Sequence, residues 1–284
     1  MNRPPVGHAS VDERRARFRA LHEAGTFVMP NPWDAGSARL LASFGFPALA
    51  TTSSGFAWST GRRDNHVTLD EALAHLRLIT SSIDLPVNAD FEGGFAVDPD
   101  DVARNVTRAV ETGIAGISIE DWTGDRSDPL FTLDLSTARI AAARAAIDRS
   151  GTGVLLTARS EGFIVGRPDL EETVRRLVSY AAAGADCLYA PGIRTDQQIR
   201  TVVEAVAPKP VNVLVGAPFA TVAHLAGLGV RRISTGGALA RAAWTGMLAA
   251  AREIAAGGTF TALGDATSFA EVDAMFDPFT PEGR

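Results

Sequence analysis

Eight short apolar runs, each about five to seven residues long and rich in β-branched or small side chains, recur along this chain with helical periodicity between them. They read TFVMPN from Thr26, ALATTSS from Ala48, PVNADFE from Pro86, GISIED from Gly116, GVLLTAR from Gly153, CLYAPG from Cys187, PVNVLVG from Pro210 and RRISTGG from Arg231. The segments after Asp34, Asp100 and Asp169 repeat apolar residues at three- and four-residue spacing, the mark of an amphipathic helix. Gly45, Gly113, Gly184 and Gly229 each stand between a helix and the next strand, where a left-handed residue commonly ends a helix. Strict alternation requires parallel strands joined by crossover helices, and continuously apolar strands mean that both sheet faces are covered. Eight such units favour a closed α/β architecture, the (β/α)8 TIM barrel. An open doubly wound sheet is the alternative, but no G-x-G-x-x-G follows the first strand.

The 284 residues hold one barrel of roughly 250 residues with an N-terminal helix and a C-terminal helical extension, so 1–284 is read as a single domain. The net charge of -6 comes from 27 basic and 33 acidic side chains scattered along the chain, with no basic cluster to neutralise a nucleic-acid backbone. A lone cysteine, Cys187, excludes an intrachain disulfide framework. The start, MNRPPVGHASVDERRARF, lacks the apolar stretch of a signal peptide, and no run of about 18 apolar residues follows. A cytoplasmic protein with neither nucleic-acid nor membrane partners is expected.

Barrel active sites lie at the C-terminal strand ends, and polar residues concentrate there. The second strand is expected to end in Ser53, Ser54 and Gly55; the third carries Asn88, Asp90 and Glu92; the fourth ends in Glu120 and Asp121, the fifth in Arg159, and the seventh carries Asn212. Alternation puts Asn88, Asp90 and Glu92 on one strand face. If that face is the interior, their oxygens converge with Glu120 from the next strand, an oxygen-only set suited to Mg2+ or Mn2+. The alternative is that these are solvent-facing loop acids. Arg159 closes an apolar strand and needs an anion, either a substrate carboxylate or a neighbouring acid. Ser54 and Gly55 can offer backbone N–H groups and a hydroxyl to a carboxylate or enolate oxygen. Asp64 and His66 can act as acid or base on a loop, with His66 better read as solvated, and Cys187 reads as a buried, inert thiol.

The ordered set TTSSGFA, NADFEGGF, ISIED and LTARSE resembles the isocitrate lyase and phosphoenolpyruvate mutase superfamily over roughly residues 15 to 255. The resemblance implies a Mg2+-dependent barrel that stabilises an enolate beside a 2-oxo carboxylate. It further implies that Ser54, Gly55 and Phe56 bind the substrate carboxylate, that Asp90 and Glu120 are metal-associated, and that Arg159 binds substrate. Asp64 would be an acid on a gating loop, and Asn212 a weaker substrate contact. Homo-oligomers, dimers of dimers with exchanged C-terminal helices, are also implied.

Two departures from the family pattern matter. Asn88 replaces the usual first Asp of the metal motif, leaving Glu92 to compensate. The lyase loop Lys-x-Cys-Gly-His after the fourth strand reads WTGDRSDPLFTLD here, without cysteine, lysine or histidine. Isocitrate-type cleavage is therefore not expected, and an oxaloacetate decarboxylase-like or related C–C cleavage is. Phosphoenolpyruvate mutase or phosphonopyruvate hydrolase chemistry, and a 2-oxo acid binding protein with little catalysis, are the alternatives.

Overall fold

The computed structural model describes residues 9–280. Residues 1–8, which open the segment read as lacking a leader, and residues 281–284 lie outside the described residues. The first helix, α1 (Val11–Glu23), starts on a complete capping box: the Ser10 hydroxyl accepts from the Glu13 N–H, and the Glu13 carboxylate accepts from the Ser10 N–H at 2.7 Å.

Strands β1 (Phe27–Met29), β2 (Leu49–Ala50), β3 (Val87–Asp90), β4 (Gly116–Glu120), β5 (Leu155–Arg159), β6 (Cys187–Tyr189), β7 (Val211–Leu214) and β8 (Arg232–Ser234) follow the eight apolar runs. All pairings are parallel between sequence neighbours from β2 to β8, and β8 pairs with β1. The ring is closed between β1 and β2 by the Ala50 N–H, which donates to the Pro30 carbonyl at 3.1 Å. Helices α2 (Ala35–Ser43), α3 (Ser53–Ser59), α4 (Leu69–Ser82), α5 (Pro99–Val110), α6 (Leu133–Ser150), α7 (Leu170–Ala182), α8 (Asp196–Val206) and α9 (Val222–Gly227) fill the gaps. The chain is a (β/α)8 TIM barrel.

Local chemistry explains the boundaries. Asp34, Asp98 and Asp169 cap α2, α5 and α7 by accepting from backbone N–H groups of the first turn. The glycines at 45, 113, 184 and 229 take φ of 81°, 86°, 102° and 86°, as helix-ending residues there require. Two expectations are corrected. The second strand stops at Ala50, and Ser53–Ser59 is helical because the Thr52 hydroxyl caps the Gly55 N–H. The third stops at Asp90, and Glu92 turns to φ 47°, so it leaves the alternation that would keep it on one face with Asn88 and Asp90.

Alternate strand residues such as Ala89, Ile117, Leu156 and Val213 face outward and build the main core with Val102, Val106 and Leu177 of the helices. Inside the barrel, Phe27, Met29, Ala48 and Ala50 cluster with Phe18 of α1, which crosses the N-terminal strand ends as a plug. Gly116 makes that fit possible: a Cβ there would stand 2.5 Å from the Phe18 ring and 2.6 Å from Asn88 Oδ1. After β8 the chain continues into α10 (Ala238–Gly257) and α11 (Phe269–Ala274), and Met247, Leu248 and Phe269 of these helices and Phe260 between them are exposed. No helix among the described residues is long and apolar enough to cross a membrane.

Candidate active site

Inward-facing residues at the C-terminal strand ends enclose a cavity of about 190 Å³. Arg159, the last residue of β5, dominates it. Its Nη1 lies 2.6 Å from Asp90 Oδ1, its Nη2 3.0 Å from Glu120 Oε2 and its Nε 2.9 Å from Glu161 Oε1, while the Tyr189 ring lies beneath the guanidinium at 5.2 Å. Both anions weighed for Arg159 remain relevant, since the acids hold it in place and it still borders the cavity.

One guanidinium cannot neutralise three buried carboxylates, and the titration of the cluster follows from that. Burial works against the Arg159 charge, but Glu161, Glu120 and Asp90 outweigh it and hold the group protonated, well above its ordinary value. Burial raises Glu120 well above the usual carboxylate range, against the pull of Arg159. Glu161 is pushed up to about 7 by burial in the same way. Glu92, buried beside Asp90 and Asp64, is pushed up to about 8. The Asp64 carboxyl is raised by desolvation and then by Asp90.

The structure brings Asp64, Asn88, Asp90, Arg159, Asn212 and Ser54 to the wall of this cavity, and Glu120 stands behind Arg159. The remaining three candidates sit elsewhere. Glu92 borders two adjoining pockets. Gly55 is buried, its N–H donating to the Thr52 hydroxyl at 3.3 Å, and an added Cβ would meet Thr52 Cγ2 at 2.6 Å, so packing within α3 accounts for the glycine. Phe56 stacks on His75 with ring centroids 3.9 Å apart, facing the neighbouring small pocket. Among the described residues no group of three or more His, Cys, Asp or Glu side chains forms a preassembled ion cage. Asn88 Oδ1, buried without a partner, and the oxygens of Asp90, Glu92 and Glu120 are the donors available to a cation.

His66 is exposed, its Nδ1 2.9 Å from the Asp64 carbonyl, and Cys187 is fully buried with its thiol pushed up by burial. The loop after β4 folds as a short hairpin, with Trp122 bridged to Leu130 and the Thr123 N–H donating to the Pro129 carbonyl at 3.0 Å. It ends earlier than its sequence suggests, since Asp134 already belongs to α6.

Sequence reasoning named Ser53 and Asp121 only as strand-end residues and passed over Asn31; the structure gives all three positioning roles. The Ser53 N–H donates to Asp90 Oδ2 at 2.9 Å and fixes the carboxylate from the start of α3. Asp121 accepts from the Glu161 N–H at 2.8 Å and the Tyr180 hydroxyl at 2.7 Å, tying β4 to the segment after β5. Asn31 accepts from the N–H groups of Thr235 and Gly236 and donates to the Thr51 carbonyl, linking the ends of β1, β2 and β8. Glu161 carried one signal, its position two residues beyond Arg159 in LTARSE.

The family model described as phosphoenolpyruvate phosphomutase matches residues 18–255. A solved chain from Burkholderia cenocepacia J2315, described provisionally as a lyase or mutase, superposes with a TM-score of 0.91 at 46% identity, covering 94% of this chain and 97% of that one. An uncharacterized protein of Mycobacterium tuberculosis is 33% identical over 77% of this chain and 81% of its own length. The oxaloacetate decarboxylase of Pseudomonas aeruginosa is 28% identical over 80% of each chain.

Proposed function

Because the chain belongs to the phosphoenolpyruvate mutase and isocitrate lyase superfamily, we propose that it is a lyase that cleaves a carbon–carbon bond of a small 2-oxo acid through an enolate, with Mg2+ or Mn2+. The observation that carries the reading is Arg159, held at the cavity wall by Asp90, Glu120 and Glu161 beside the Ser53–Ser54 turn. Oxaloacetate is the simplest candidate substrate.

The donor chemistry fits a hard divalent cation. All the available ligands are oxygens, and Glu92 is pushed up to about 8 by burial and then by repulsion from Asp90 and Asp64. Asp90 and Glu120 would hold the ion directly or through water, with Glu92 and the neutral Asn88 oxygen as further donors. Bound there, a divalent cation supplies Lewis-acid stabilisation of the enolate oxygen.

The chain's own groups do the rest. Arg159 and the Ser54 hydroxyl orient the 2-oxo carboxylate. When the C3–C4 bond of a 2-oxo diacid breaks, its electron pair becomes the enolate and carbon dioxide departs. Carbon 3 then takes a proton, from water or from Asp64, whose raised carboxyl carries one more readily than an ordinary aspartate. The loop from Trp122 to Thr132 has no Cys, Lys or His to protonate a carbanion.

The test is a rate comparison under saturating Mg2+. Oxaloacetate should release pyruvate, while isocitrate and 2-methylisocitrate should be cleaved poorly; efficient glyoxylate release from isocitrate would overturn the loop argument. The phosphomutase family match favours one second reading, carbon–phosphorus chemistry, which phosphate release from phosphonopyruvate would reveal. Ligand stabilisation without any turnover would instead indicate a binding protein. The exposed apolar residues of α10 and α11 support a homo-oligomer, whose mass light scattering would give; exchange of its C-terminal helices, a cytoplasmic location and freedom from nucleic acid and membrane complete the proposal.

A further inference from the structure

Below Arg159 the cavity reaches into the barrel, and its lower wall carries a second guanidinium. Arg232, on β8, is 2% exposed and borders the same space. Among the described residues no carboxylate lies within ion-pair distance of it, unlike Arg159, which has three. Its Nε donates to Asn212 Oδ1 at 2.8 Å, and Asn212 Nδ2 donates to Ser234 Oγ at 2.9 Å, so that amide is spent on fixing the guanidinium.

Arg232 Nη1 lies 3.4 Å from His22 Nε2. The other imidazole nitrogen is 2.7 Å from the Phe18 carbonyl, which makes Nδ1 the donor and Nε2 a neutral acceptor. Burial and Arg232 itself push His22 down to about 3, so the ring supplies no compensating charge. On the same cavity wall, Asn88 Oδ1 is buried with no partner. A buried guanidinium without an anion is an expensive arrangement in a free protein, and it becomes favourable when a ligand brings the missing charge.

We propose that Arg232, oriented by Asn212, forms a second anion subsite deep in the barrel that binds a carboxylate of the ligand other than the one at Arg159. The inference rests on the lyase reading and deepens it: the ligand is a diacid spanning from Arg159 to Arg232. The cavity of about 190 Å³ has room for it, equal to roughly six water volumes.

Two acids of equal chain length isolate the distal charge: 2-oxoglutarate and 2-oxopentanoate, titrated calorimetrically into the full chain. The diacid should bind the wild type about 10- to 100-fold more tightly, the scale of a charge-assisted contact. Arg232→Gln should abolish that gap. Asn212→Asp keeps the guanidinium but gives it an acid partner, and should abolish the gap as well, which guards against a folding defect in the first variant. Equal affinity for the two acids in the wild type, or a gap that survives in both variants, overturns the subsite while leaving the lyase reading intact. Failure of both acids to bind the wild type overturns the subsite, while pyruvate release from oxaloacetate decides the lyase reading separately.

Discussion

The Nη1 of Arg159 lies 2.6 Å from Oδ1 of Asp90, joining the end of β5 to the end of β3 past the intervening β4. The same carboxylate accepts from the Ser53 N–H through its other oxygen, so Asp90 connects three βα units at the cavity wall. An acid so placed can hold Arg159 and still offer lone pairs to a cation.

Replacing Asp90 or Glu120 by Ala should therefore lower metal-dependent turnover by about 100-fold or more, the scale of losing one electrostatic group in a preorganised site. Each variant leaves Arg159 two of its three acids, and both should retain barrel circular dichroism. Calorimetric titration with Mg2+ and Mn2+ is the direct measurement. Unchanged metal affinity in both variants would remove these carboxylates from a metal role.

Arg159→Lys should weaken substrate binding by roughly 2 kcal/mol, because a point ammonium replaces a planar fork of donors. Three acids already surround the position, so the charge remains compensated and the comparison reports on geometry. Equal substrate affinity would leave Arg159 with the ion-pair role alone.

Gly116→Ala should destabilise the fold by about 1–3 kcal/mol, since the new methyl group would overpack the Phe18 plug. Gly246→Ala is the control. It lies within α10 with no atom within 4 Å of the added Cβ, and should stabilise by about 0.5–1 kcal/mol through helix propensity. Urea midpoints of the two variants should move in opposite directions.

Acid sensitivity should reside partly in the buried imidazoles. His22 is pushed down to about 3 and His75 to about 4, each chiefly by burial, from an unfolded value of 6.5. The unfolded chain thus binds more protons than the folded one between those limits, and stability falls as pH drops below 6.5. Replacing His22 by Gln removes its share. The variant should be less stable than wild type at pH 7.5, and that deficit should shrink by up to about 3 kcal/mol at pH 4.5. A stability difference constant over this range would show that His22 does not titrate on unfolding.

The alternation of apolar runs and helical segments, and the Asp and Gly residues at helix ends, are local properties of the chain, and they determined the barrel. Backbone periodicity fixes which side chains can share a face, so Asn88 and Asp90 were legible as same-face residues of one strand, and Glu120 and Arg159 as strand-end groups, from their positions alone. Tertiary structure decided what each of them meets. Whether Arg159 faces an acid or open space depends on parallel register between β4 and β5 and on a carboxylate 69 positions away in sequence, and no local pattern encodes either. The left-handed turn at Glu92, the capped helix that absorbs Gly55 and Phe56, and the burial that leaves Arg232 without an acid are likewise products of packing. Propensity and period act over a few residues, whereas burial and charge pairing are set by whichever segments the closed barrel brings together.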